Sequence, residues 1–137
     1  MEKFLTKPDG ICSFLNDKIF LNGIEYNRRD LDKISAKTEC LIKPHPFNAQ
    51  MQTVDIKEEI NVNGIDCKAL CIEAIGGVVM SMVLYPHILS PWIAACSIKG
   101  KMDVYKSPMG TLTDYVYDKS HKITFGPDGS MIYIWYD

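Results

Sequence analysis

The chain has 137 residues, 47% of them hydrophobic and 23% charged, with a formal net charge of −2. That length can bury a real core without disulfide or metal staples, and the balance excludes a disordered or low-complexity chain. Only Arg28 and Arg29 among the fifteen basic residues are arginine and no basic cluster forms in the sequence, which argues against nucleic-acid binding.

In chain order, the first firm signal is IFLNGIEY at 19–26. Asn22-Gly23 between two apolar runs predicts a hairpin, because a type I′ turn needs positive φ at both central residues. Asn27 then reads as the cap of a helix over 28–37, with Asp30 in the place of a capping-box acid and Leu31 and Ile34 as a thin apolar stripe. Residues 40–42 read as a strand, stopped by the stiff Pro44-His45-Pro46 segment. Residues 50–62 read as extended structure with a break near Lys57, and Asn63-Gly64 repeats the hairpin signal. The next segment, 66–75, fits two periods. With period two it is the second arm of that hairpin. With helical period Cys67, Leu70, Cys71, Ala74 and Ile75 share a face, between Asp66 as N-cap and Gly76 as C-terminal cap. The helix is the preferred reading.

Residues 74–98 contain no Asp, Glu, Lys or Arg, a length that a membrane span would need. Gly76-Gly77, Pro86 and Pro91 break it, and no flanking basic cluster sets an orientation, so no membrane segment is expected. The stretch divides instead into a strand over 78–85 buried on both faces and a helix over 91–99. Ser90 caps that helix, Pro91 fills its first position, and Gly100 closes it. Beyond it lie strands over 102–106, 111–117, 121–125 and 131–136, separated by turns at 107–110, 119–120 and 126–129. The last of them is apolar on both faces and is expected at the centre of the sheet. The expected fold is α+β. One globular domain over 1–137 holds an antiparallel sheet of about five to seven strands, two or three short helices and a C-terminal β-meander.

Five cysteines, an odd number, follow an N-terminus with no apolar signal region, which favours free thiols and a cytoplasmic setting. On a helix Cys67 and Cys71 would share a face, yet they lack the second pair of a zinc signature, and core packing is preferred. Neither a metal nor a cofactor is expected. His45, His87 and His121 sit in no nucleophile-elbow context, Gly76-Gly77 has no phosphate-cradle context, and Glu58-Glu59 would point to opposite faces of a strand. Two residue sets stand out as binding candidates. Asp114, Tyr115, Tyr117 and Asp118 combine acids with aromatics, which suits contact with a basic protein partner. Tyr85, His87 and Trp92 flank the apolar turn and suit a small-ligand pocket. The leading expectation is therefore a non-catalytic protein-binding domain of the inhibitor, immunity or accessory kind, for which a homo-oligomer is compatible. The alternatives are a ligand-sequestering pocket protein and a Cys/His-dependent enzyme.

Overall fold

Residue pairs that accept positive φ set the main reversals of the chain. They are Asn22-Gly23 (φ 51° and 83°), Asn63-Gly64 (52° and 87°) and Gly76-Gly77 (58° and 81°), each matching a type I′ turn, whose twist suits the flanking strands. The computed structural model describes residues 10–37, 41–45, 48–97 and 100–136. In order these form α1 (Gly10–Leu15), β1 (Lys18–Leu21), β2 (Ile24–Asn27), α2 (Leu31–Lys37), β3 (Leu41–His45), β4 (Asn48–Ile56), β5 (Ile60–Val62), β6 (Ile65–Ile75), β7 (Val78–Pro86), α3 (Ser90–Ser97), β8 (Lys101–Ser107), β9 (Gly110–Val116), β10 (His121–Phe125) and β11 (Met131–Trp135). The fold is mainly β, with eleven described strands in one antiparallel sheet rather than five to seven, and three short helices.

The main path across the sheet is β2-β1-β5-β6-β7-β11-β10-β9-β8. β4 joins β6 beside β5, on the same edge, and carries β3 outside it. β4 and β5 are one extended run broken at 57–59, as the sequence indicates. β11 lies between β7 and β10, the central place its two-sided apolarity implies. The C-terminal meander is present as expected.

The segment over 66–75 is strand β6, not a helix. Cys67 pairs with Pro86 but Leu70 pairs with Leu84, so β6 carries one extra residue at 68–69. This bulge changes the inward phase from Ile65 and Cys67 to Leu70, Ile72 and Ala74. The resulting step of three from Cys67 to Leu70 imitates helical spacing. Cys67 therefore faces the core while Cys71 falls on the opposite face with Val83, and Gly76 turns a hairpin instead of ending a helix.

Other expectations are corrected more lightly. The second helix begins at Leu31, because Asn27 Oδ1 accepts from the Arg29 N–H in a local turn and the Asp30 carbonyl takes the first helical bonds. β3 runs through Pro44, which is tolerated on an edge strand; Cys40 and Pro46 lie outside the described residues. β7 buries one face only, since Met80 is an extra residue opposite β6 and the others alternate. α3 ends at Ser97, and 98–99 lie outside the described residues. α1 had no signal in the sequence reading.

Register fixes two rows across the inner face. One runs Val54, Ile72, Met82, Tyr133, Ile123, Tyr115, Met102; the other runs Ile56, Leu70, Leu84, Met131, Phe125, Thr113, Val104. All but Thr113 and the two β8 residues are buried. Burying one such side chain contributes roughly 1.5–3 kcal/mol, so these rows are the main source of stability. The helices are too short to persist alone and are held by the same core. Phe14 of α1 packs 4.9 Å from the rings of both Tyr133 and Trp135, and the Trp135 indole N–H donates to the Phe14 carbonyl at 3.0 Å. Leu31 and Ile34 of α2 and Cys96 of α3 enter the same cluster. The sheet curls until the Val79 N–H on β7 donates to the Arg28 carbonyl just after β2, at 2.8 Å.

Candidate functional site

The face opposite the core is built by the alternate residues of the same strands. One row runs Asp55, Cys71, Val83, Ile132, Thr124, Asp114, Asp103; the next runs Thr53, Glu73, Ser81, Ile134, Lys122, Val116, Lys101. Val83, Ile132 and Ile134 form an apolar centre of half-buried side chains, flanked in register by Cys71, Thr124, Ser81 and Lys122, with further charged residues toward the ends of the rows. Among the described residues no helix packs on this outer face, because all three contribute to the inner core. Tyr85, Tyr105 and Tyr136, exposed by 37%, 37% and 48%, follow the same alternation.

A buried polar knot stiffens this face near β8. Asp114 Oδ1 accepts from the Thr124 hydroxyl at 2.8 Å and the Tyr105 hydroxyl at 3.3 Å, and Lys122 Nζ lies 3.4 Å from Asp114 Oδ2. Burial, then the Asp114 carboxylate, push the Tyr105 phenol up. Burial acts against the Lys122 charge, but the Tyr136 hydroxyl and Asp114 outweigh it and raise its pKa. Lys122 also lies over the Tyr136 ring, 5.6 Å from its centre.

The four acidic and aromatic candidates do not share one exposed patch. Asp114 and Tyr115 are buried. Tyr115 packs edge-on against Phe125 on the inner face, 5.8 Å between ring centres. Tyr117 is half-buried and its hydroxyl donates to the Cys96 carbonyl at 2.8 Å, tying β9 to α3. Asp118 is exposed and accepts from the Ser120 N–H and from His121 Nδ1, and the His121 contact, before the others, holds its carboxyl below the usual range.

His87 and Trp92 do meet. With Gly64, Asp66, Ile88 and Pro91 they line a cleft of about 190 Å³, smaller than the ~300–1,000 Å³ usual for ligand pockets. Tyr85 is not part of that lining. His87 Nε2 pairs with Glu59 at the surface. Burial pushes the Cys67 and Cys71 thiols up to about 12 and Cys96 up to about 11, with Asp66 and Asp55 adding to the first two. Such thiols hold their protons and are weak nucleophiles. Among the described residues no three His, Cys, Asp or Glu side chains gather as metal ligands, and no helix is long and apolar enough to cross a membrane.

One constellation escaped the sequence reading. Buried Arg28 donates from Nη1 to the Val79 carbonyl at 2.8 Å and places Nε 3.5 Å from Asp17. Asp17 in turn lies 3.2 Å from His121 Nε2, whose other nitrogen faces Asp118. The members come from four distant points of the chain, so no local pattern announces them. They clamp the end of β2 to the β9–β10 turn, and Arg28 stacks over Trp135 at 5.7 Å. Comparison with known proteins adds nothing to this geometry: no family model, curated protein or solved structure matches the chain.

Proposed function

We propose that this chain is a protein-binding domain that acts by occupying the surface of another macromolecule, as inhibitor, immunity and accessory proteins do. The observation that carries the reading is the outer face, where Val83, Ile132 and Ile134 form a half-buried apolar centre, with exposed Tyr85 and Tyr136 on the same two chain runs and Tyr105 farther out on β8. Interfaces have this layout, with a desolvated apolar centre and a charged rim, and tyrosine is among the residues that most often anchor them. With Asp114 and Lys122 paired to each other, three acids on the two rows (Asp55, Glu73 and Asp103) stand against Lys101 and favour a partner with a basic rim. The test is native mass spectrometry of the tagged chain drawn from its source lysate, beside an Ile134→Glu, Tyr85→Ala variant, whose new carboxylate faces Lys122 across the strand pair. A protein-sized added mass that the variant loses, at an unchanged melting temperature, supports the reading. A bare wild-type chain, or a partner that the variant keeps, removes it. The cleft at His87 and Trp92 favours a second reading, a small-ligand subsite, for which added mass of a few hundred daltons and a shifted His87 resonance are the expected signs.

A further inference from the structure

We propose that β8 is a self-association edge: two copies pair their β8 strands antiparallel about a two-fold axis at Val104 and so join their sheets. The proposal concerns the edge and not the outer face, and it stands whether or not that face takes a partner.

Each inner row is buried from β4 to β9 apart from Thr113, and each ends on β8 at a side chain left in solvent, Met102 at 61% and Val104 at 53% exposure. The core therefore runs off the end of the sheet at β8. Among the described residues, the unpaired edges of the sheet differ in how they are protected. Unpaired edges are normally kept short, charged (with lysine above all), bulged or interrupted by proline, and of these devices β8 carries only the charges of Lys101, Asp103 and Lys106. β2 has four residues, and β3 carries Pro44 and a register shift beside it. β8 has seven residues, a continuous register with β9 and no proline.

Backbone geometry then selects the pairing. Ser107 and Gly110 close a two-residue turn and form a hydrogen-bonded pair. Alternation sends the N–H and C=O groups of Lys101, Asp103, Tyr105 and Ser107 to β9, and those of Met102, Val104 and Lys106 outward. In an antiparallel pair only outward-facing residues can exchange bonds, so the two-fold axis must pass through a residue and not between two. An axis at Asp103 sets two carboxylates directly opposite each other, where like charges repel. An axis at Tyr105 pairs only part of the strand. An axis at Val104 uses all seven residues: Val104 meets its own copy, Met102 meets the Lys106 stem, Asp103 meets Tyr105, and no like charges oppose. Strand addition of this kind draws affinity from the main chain and register from the side chains.

Sedimentation equilibrium of the wild-type chain across the micromolar range tests the proposal, together with Val104→Pro. Proline removes an outward N–H that β9 does not use, so the fold is expected to persist with an unchanged circular dichroism spectrum. The expected result is a wild-type mass that climbs toward twice the monomer value and a Val104→Pro mass that does not. Register is read independently in a Cys12→Ser background, where Val104→Cys should cross-link under mild oxidation many times faster than Tyr105→Cys, because opposed hydrogen-bonded positions lie ~5.5 Å apart between Cα atoms. A wild-type monomer throughout the range, a dimer that Val104→Pro leaves intact, or faster cross-linking at position 105 overturns the proposal.

Discussion

Single residues in this protein divide sharply between those that only fill space and those that carry charge under constraint. Cys67, Cys71 and Cys96 belong to the first kind, since burial lifts all three thiols far above their ordinary value of 9.0. The consequence for stability has a definite sign. Below pH 9 both folded and unfolded chains hold these protons, and the stability is fully present. Above it the unfolded chain can release them while the folded one cannot, so stability falls as pH rises toward about 11 for Cys96 and about 12 for Cys67 and Cys71. Urea midpoints measured from pH 8 to 11 should drop steadily, and Cys67→Ala, Cys96→Ala should flatten the slope. Asp118 has the opposite sense. Its lowered carboxyl stabilises the fold above the ordinary value of 3.8 and stops doing so as pH falls below it, an effect kept small by solvent screening at an exposed site. At this scale the sequence was a poor guide to exposure. Asp114 and Tyr115 read as surface on their acidic and aromatic character, but adjacent strand residues face opposite ways, and here both faces near β9 bury side chains.

At the scale of elements, legibility depended on whether the local signal and the sheet agreed. The two Asn-Gly hairpins, the 57–59 break, the four strands of the C-terminal meander and the central place of β11 follow from turn chemistry and patterning, and the chain forms them. β6 failed because its bulge inserts a step of three into a period of two, which a periodicity argument reads as helix. Curling of the sheet, the shared edge of β6 and the burial of Arg28 are tertiary facts with no local trace. The bulge explanation can be tested directly. Deleting Lys68 should bring Cys67 and Leu70 two positions apart, so that Ile65, Cys67, Leu70, Ile72 and Ala74 keep facing inward in one unbroken alternation. The expected result is a cooperative thermal transition that survives the deletion. The exposed substitution Lys68→Ala, which keeps the count, should stay within about 0.5 kcal/mol of wild type. A deletion variant that loses the transition would show that the extra residue does more than shift the phase of this strand. Gly110 marks a second such constraint: at φ 123° and with Pro127 Cγ 2.9 Å from where a Cβ would sit, it lets the β8–β9 turn press on the β10–β11 turn.

For the whole molecule, the antiparallel contacts are mostly between strands adjacent in sequence, and the β7–β11 pairing is the main exception on the path from β6 to β8. It joins residues roughly fifty positions apart, and closing so long a loop costs entropy before any contact repays it. The hairpins on either side can form first and independently, so this seam is expected to close after the folding barrier. Leu84, fully buried on β7 opposite Met131, reports on it. Leu84→Ala should cost about 2–5 kcal/mol at equilibrium; its Leu70 contact inside the early β6–β7 hairpin should slow folding a little and its seam contact with Met131 should speed unfolding more, whereas Ile123→Val within the meander should mainly slow folding. Chevron plots of the two variants decide it, and a large drop in the Leu84→Ala folding rate would reverse the order. A seam that closes late also opens early. The chain's lifetime in the folded state would then be set at one line of hydrogen bonds across its middle, and a weak edge contact at the far end of the meander would do little to lengthen it.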